Sequence, residues 1–519
     1  MTLNNSTNLY EKDEIMAKNI RFNSKLIIIT ILSFITYILA NGMWCIPLLA
    51  WIYPVLFLWL VQSYPSSKMC FIIWGIYAIG FIIRFANVIG MNFGLCAVVA
   101  ILIAVLYSLP YLFWQKTQKN FNATVIFAAE MVIVEYAICS SYPILGGLSD
   151  AYTQYKNSLL LQIVTVTGIY GISFIMYWTA AVVIWIWNKR NELCQVKRCL
   201  SIYFTVISLI LMYGAVMSQS IGAAENSMRI AGVTVPVSPL LNEDDDVYAV
   251  FYTNSFSDEN MVNAKRKLSE VTDELFLKTE KEAQAGAKVV FWSELNGAIL
   301  KSDEAELLQR ASDTAKEQEI YLIVSLLVKT PYQDLKENKT IAFNPQGGQI
   351  AEHYKFGRSI GELCLKGDGM LQSFDTEYGR IASFICSDMA FSSKIRQAGK
   401  NNVDILIVPA SDWKEMTGIA IKTAVVRGVE NGCNVIRHTN KGISIVSDVR
   451  GNILAMADYF QSDTKNLAAQ IMTNGRFTVY SYIGDIFVYL CIVYLVGNFI
   501  YQIKKQKNVS IKTGGTDIA

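Results

Sequence analysis

The chain has 519 residues, 53% of them hydrophobic and 17% charged, with a formal net charge of +2. That is too apolar for one ordinary soluble domain and too long for one core. The near-neutral charge gives no reason to expect nucleic acid as a partner.

Residues 1–24, with Lys12, Lys18 and Arg21, are expected to form a cytoplasmic N-terminal segment. From 25 to 221, apolar runs of about twenty residues follow one another, the length that crosses a bilayer. Seven transmembrane helices are expected there, at 25–42, 44–63, 69–87, 90–114, 123–142, 159–187 and 200–221. No small-residue cleavage site follows the first, so it is read as retained and not as a signal peptide. Glu130 and Glu135 fall inside the fifth span and are expected to be structural or to line a cavity. The turn-rich "SSYPILGG", Ser140 to Gly147, is expected to border a lipid entry. Charges return after Ser227, so 228–476 reads as one soluble domain of roughly 250 residues. A closing span follows at 479–503, and 504–519 is a cytoplasmic tail.

Orientation follows from the short loops. Lys68, Lys116, Lys119, Lys189, Arg190, Lys197, Arg198, Lys504, Lys505 and Lys507 fall on one side if seven spans precede the soluble domain. The opposite loops hold chiefly Arg84 and Lys156. Both termini are therefore expected in the cytoplasm and the soluble domain on the far side.

Within that domain, strand and helix patterns interleave. "MRIAGVTVPV" at 228–237, "AKVVFWSE" at 287–294 and "IYLIVSLLV" at 320–328 read as strands. Residues 259–284 and 302–318 have the apolar spacing of amphipathic helices. "FNPQGGQIAEHYK" holds a turn between strands, and "VDILIVPASDW" and "CNVIRHTNKGISIVSDVRGNILA" flank a helix at 415–431. Interleaved elements predict a layered α/β or α+β fold.

Three reactive residues follow apolar strands: Glu294 after "VVFWS", Lys355 after "IAEHY" and Cys386 at the end of "IASFIC". Chemistry at a thiol needs a base for its proton and a positive donor for the oxyanion it creates. A carboxylate and an ammonium can fill those roles, and a thiol beside a lysine is expected to have a depressed pKa. Each residue alone has an ordinary reading: Cys386 as a small core residue, Glu294 as a cap or solvated turn, Lys355 as a surface charge. The ten cysteines show no paired framework, and two histidines, His353 and His438, exclude a three-histidine zinc site. No metal or cofactor is expected.

Together these segments resemble the nitrilase, or carbon–nitrogen hydrolase, superfamily, which uses a Glu-Lys-Cys triad in this chain order. "FICSDMAF" is similar to its Cys-aromatic-Asp/Glu-x-x-Phe segment and "VVFWSE" to its strand-Pro-Glu segment. The preceding spans narrow the resemblance to the apolipoprotein N-acyltransferases. "PASDWKEMTG", "VVRGVENGCNVIRHTNKGISIV" and "LLQIVTVTGIYGISFIMYW" agree with that family's patterns. Ser293 stands where it has Pro, Ser387 where it has an aromatic residue, Asp388 where Glu is more usual, and Lys441 where a small residue is common. "YKFGRSIGE" departs from the family's order after the lysine.

The resemblance implies a polytopic α-helical membrane domain plus an α/β nitrilase-like αββα sandwich. It implies Glu294, Lys355 and Cys386 as catalytic residues, Glu362 and Asp388 as supporting ones, and Trp413 as a contact for the acyl chain. A phospholipid would donate an acyl chain to Cys386, and the lipidated N-terminal cysteine of a lipoprotein would accept it. The place implied is the bacterial cytoplasmic (inner) membrane. Two alternatives are a membrane-tethered amidase and an inactive lipid-binding homologue.

Overall fold

In the computed structural model, the described residues are 24–64, 67–90, 92–117, 120–141, 143–219, 227–236, 242, 244–357, 362–462 and 465–513. Readings placed on residues 1–23, and on Lys119, lie outside them.

Among the described residues, six helices are long and apolar enough to cross a membrane: Lys68–Val88, Phe93–Thr117, Asn122–Ser141, Ile169–Lys189, Cys194–Gln219 and Ile486–Lys505. Ser24–Ala40 and Leu49–Ser63 are apolar but shorter, at 17 and 15 residues. Two runs read as single spans are broken by glycine. The run from 159 divides into single turns at Ser158–Leu161 and Val164–Thr167 before the long helix starts at Ile169. Gly168 joins them at φ +62°, where a Cβ would stand 2.5 Å from the Tyr480 ring. The closing run likewise opens with a turn, Val479–Ile483, and resumes at Ile486 after Gly484 at φ +61°. Arg84 is not a loop charge. It is buried in its helix and ion-paired with Asp150.

The soluble region folds as two sheets. In the first, the strands lie in the order Leu467–Met472 (β13), Ser227–Val233 (β1), Ala287–Trp292 (β2), Tyr321–Lys329 (β4), Glu337–Phe343 (β5) and Gln349–Tyr354 (β6), with Gly297–Leu300 (β3) also on β4. In the second, the order is Ile453–Asp458 (β12), Ile443–Ser447 (β11), Asn434–Asn440 (β10), Ile405–Ser411 (β9), Gly379–Ser383 (β8) and Ser373–Thr376 (β7). Alternation decides which side chain goes where. In β2, Val289 and Phe291 join Ile381, Ile405, Ile407 and Ile436 between the sheets. Val290 and Trp292 pack outward against Leu275 and Phe276 of helix Asp258–Gln284. That helix starts where the Ser257 hydroxyl accepts from the Asn260 N–H at 3.1 Å, and two acids in its first turn suit its positive end.

Helices Ser392–Lys400 and Thr417–Asn431 cover the second sheet. The second of these is buried at nearly every position because the membrane helices close its other side. Two contacts cross that junction, and a third supports one of them from within the bundle. Glu430 Oε1 accepts from the Ile169 N–H at 2.8 Å, placing a carboxylate at a helix N-terminus. Lys422 Nζ donates to Asn41 Oδ1 at 2.6 Å. Asn41 Nδ2 in turn donates to Asp150 Oδ1 at 3.0 Å. The αββα layers therefore rest on the helical bundle, with one continuous apolar cluster running from Phe57 and Tyr152 to Leu406 and Val435.

His438, on β10, is fully buried against Phe291, and burial pushes its pKa from 6.5 down to about 3. The folded state binds that proton less readily than the unfolded one. Stability is therefore complete above the unfolded value and falls as pH drops from 6.5 toward 3, by about 1 kcal/mol per pH unit. Thermal melts in detergent are expected to show this slope, and His438→Gln to flatten it.

Candidate active site

Glu294 lies two residues past β2. The segment is clamped to the end of β1: Ser293 N–H donates to the Val233 carbonyl at 3.1 Å, and Asn296 Oδ1 accepts from the Val235 N–H at 2.8 Å. Ser293 thus uses a backbone donor that proline lacks. Lys355 directly follows β6, its N–H donating to the Asn338 carbonyl of β5 at 2.9 Å. Glu294 and Lys355 are only 2% and 3% exposed, and their side chains meet: Nζ donates to Glu294 Oε1 at 2.7 Å. Glu362 closes the group, accepting from the same Nζ at 2.8 and 2.9 Å. Sequence reasoning missed Asn338, whose Nδ2 donates to Glu294 Oε1 at 2.9 Å and to Glu362 Oε1 at 3.2 Å. Asn338 lies in the polar start of its strand, "ENKT", where nothing in the sequence sets it apart.

Cys386 does not end a strand. β8 stops at Ser383, and Cys386 opens a 3₁₀ turn, Cys386–Ala390, with φ +46°. A non-glycine residue in that region carries strain, held here by the surrounding bonds. Asp388 holds it. Its Oδ2 accepts from the Ile385 N–H at 3.0 Å and bonds His353 Nε2 at 2.9 Å. Its Oδ1 accepts from the Phe356 and Gly357 N–H groups at 3.1 and 2.6 Å. One fully buried carboxylate therefore ties the nucleophile turn to the chain leaving Lys355. His353, with no role in the sequence reading, serves this latch.

The thiol Sγ lies 3.9 Å from the Ser411 carbonyl at the end of β9. Asp412, next in the chain, takes a bidentate pair from Arg437 at 2.6 and 2.7 Å, both groups buried. Arg437 was visible only inside the family-like run "VIRHTN". Trp413 is half-exposed and donates to the Asn87 carbonyl at 2.9 Å, at the end of a membrane helix. It lies at the junction with the membrane helices and is not among the cavity's lining residues. A cavity of about 200 Å³ borders the group, lined by Glu294, Glu362, Ser411, Tyr252, Lys329 and Lys336 among others. Glu135, by contrast, is buried within the helical bundle.

The electrostatics correct one expectation. Burial pushes the Cys386 thiol up, Glu294 adds to that, and Lys355 and Arg437 only partly offset it. The resting group is a neutral thiol. Burial also raises Glu294 against the pull of Lys355. Lys355 is disfavoured as a cation by burial, but Glu294, Cys386 and Glu362 more than compensate and it stays protonated. The arrangement is a strengthened base, a fixed cation and an uncharged nucleophile.

Residues 33–182 match the model of the apolipoprotein N-acyltransferase N-terminal domain, and residues 260–471 match that of the carbon–nitrogen hydrolases. Both matches and the relatives below identify the chain as an acyltransferase similar to the apolipoprotein N-acyltransferases. The apolipoprotein N-acyltransferase of Geobacter metallireducens is 23% identical over 411 residues, covering 74% of each chain. That of Haemophilus influenzae is 23% identical over 434 residues, covering 75% of this chain and 77% of its own. Among solved structures, an amidase from Nesterenkonia sp. aligns with 49% of this chain and 93% of its own, at 16% identity and a TM-score of 0.37. An acyltransferase of this family is thus a membrane protein with a hydrolase-type domain, and here the two are packed as one body.

Glu294→Gln is expected to lower acyl transfer by about 10²–10⁴-fold, the usual loss of a general base. A base role for Glu294 requires its carboxylate form, so the wild-type rate is expected to fall as pH drops through its raised pKa. The acid limb should therefore lie above the ordinary carboxylate value of about 4.3, and Glu294→Gln should abolish it in a pH–rate profile.

Proposed function

We propose that this chain moves an acyl chain from a membrane phospholipid to the α-amino group of a lipoprotein's N-terminal diacylglyceryl-cysteine, through a thioester on Cys386. Glu294 takes the proton of the Cys386 thiol as the sulfur attacks the ester carbonyl. Lys355 sits close enough to both partners to stabilise the negative charge that develops on oxygen. The intermediate collapses, the lysophospholipid oxygen leaves with the proton held by Glu294, and the acyl group stays on sulfur. The acceptor amine then attacks the thioester, gives a proton to Glu294, and the proton returns to the departing thiolate. Glu362 and Asn338 hold Lys355 and Glu294 in register.

The observation that carries this reading is the seating of the nucleophile turn on the membrane domain. The 3₁₀ segment Pro143–Gly147, which follows the helix Asn122–Ser141, lies against that turn. A Cβ at Gly146 would stand 3.1 Å from the Ala390 carbonyl, and one at Gly147 2.7 Å from Ile419. Both substrates carry acyl chains that belong in the bilayer. A site apart from the membrane would have to extract them at about 0.8 kcal/mol per CH₂, a cost avoided by a site held at the lipid boundary. Trp413, at the same boundary, is a contact for the incoming chain. The loop charges favour a catalytic domain on the outer face of a bacterial cytoplasmic membrane, with both termini inside.

Incubating the full chain with phospholipid and a diacylglyceryl peptide should raise the peptide's mass by one acyl chain. Free fatty acid in place of acylated peptide would make the chain a hydrolase. Neither product would leave a lipid-binding homologue.

A further inference from the structure

Lys329 and Lys336 both line the cavity that borders the triad, and both are nearly buried, at 1% and 6% exposure. Lys339 and Lys355, the comparably buried lysines of the same sheet, each meet at least two carboxylates. Lys329 and Lys336 make no ion pair among the described residues. Lys329 Nζ donates to Asn254 Oδ1 at 2.6 Å and to the Gln333 carbonyl at 2.5 Å. Lys336 Nζ donates to the Phe251 carbonyl at 3.2 Å and sits 4.4 Å above the Tyr252 ring. An ammonium has three N–H groups, so donors remain on both. Burial lowers the pKa of each, even though Asp334 draws on Lys329, and Cys364 and Glu362 draw on Lys336, from beyond ion-pair distance.

Among the described residues, none of the cavity's carboxylates makes a contact ion pair with either lysine. Glu294 and Glu362 share Lys355, and Asp334 accepts from Asn254 at 2.8 Å. Position adds to the case. Lys336 is laced by its backbone to the Glu362 segment, donating to the Leu363 carbonyl at 3.1 Å and accepting from Leu365 at 2.7 Å. The pair therefore stands in the same small cavity as Glu294, whose lining also includes Ser411, its carbonyl 3.9 Å from the thiol.

We propose that Lys329 and Lys336 bind the phosphate diester of the acyl donor and so set its ester carbonyl at Cys386. This rests on the acyl-transfer reading and names the donor chemistry that the site selects: an acyl ester carrying a phosphate, not a neutral glyceride. Two ammonium groups suit a phosphate's spread charge.

The test follows thioester formation on Cys386 by intact mass, using the full chain in detergent and two donors, dipalmitoyl phosphatidylglycerol and dipalmitoylglycerol. Lys329→Gln and Lys336→Gln keep a hydrogen-bond donor and remove the charge. Each should raise the half-saturating phospholipid concentration about tenfold and leave the slower dipalmitoylglycerol reaction unchanged. Lys336→Arg should restore phospholipid saturation. Unchanged saturation in both Gln variants, or an equal loss with both donors that Lys336→Arg fails to restore, overturns the phosphate site alone. A wild-type chain that forms no thioester from either donor overturns the acyl-transfer reading and this proposal with it.

Discussion

Cys386→Ala is expected to lower acyl transfer by at least about a thousandfold while the protein stays folded. The base, the cation and the acceptor would all remain, but no group would be left to carry the acyl chain between the two half-reactions. The backbone strain at φ +46° is not what is being tested. Alanine meets the same Cβ penalty there as cysteine, so the melting temperature should hardly move. Cys386→Ser separates nucleophile from geometry. Its hydroxyl gives up a proton far less readily than a thiol, and burial already pushes the native thiol up. The serine form should therefore be nearly as slow as the alanine form. Single-turnover acylation and a thermal melt on each variant check both halves of the expectation.

Asp388→Ala is expected to have the second largest effect, and by another route. The carboxylate serves three backbone N–H groups, at Ile385, Phe356 and Gly357, and the His353 ring. Removing it strands those buried donors, each costing about 1–3 kcal/mol. The turn at Cys386 and the chain after Lys355 would then part. Acylation should fall by roughly a hundredfold or more, with amide exchange accelerated at Ile385, Phe356 and Gly357. A structural role elsewhere in the fold would speed exchange broadly and would not single out these three.

The positions of Glu294 and Lys355 just past β2 and β6 were legible from the strand patterns that precede them. Two things were hidden. One was backbone conformation: "IASFIC" reads as a strand to its last letter, yet the chain leaves the sheet at Ser383 and turns through a positive φ at Cys386. The other was pairing across long separations. Asn338 reaches Glu294 over 44 residues, and His353 reaches Asp388 over 35, with no local pattern to announce either. The thiol's pKa failed for a related reason. A nearby lysine lowers it, but the depth of burial and the Glu294 charge, neither visible in sequence, outweigh that pull. The apolar runs were legible as helices, but Ser24–Ala40 and Leu49–Ser63 fall short of a span, and Gly168 and Gly484 interrupt helices against Tyr480 and Arg396. The sequence can offer a glycine there, but only tertiary packing decides that the chain turns.

The most direct test is to mix the wild-type chain with phospholipid and no acceptor, quench at low pH, and map the added mass by peptide fragmentation. One acyl chain on Cys386, released by neutral hydroxylamine and transferred when a diacylglyceryl peptide is supplied, is the expected result. An acyl chain on any other residue, or peptide acylation that persists in Cys386→Ala, would contradict it.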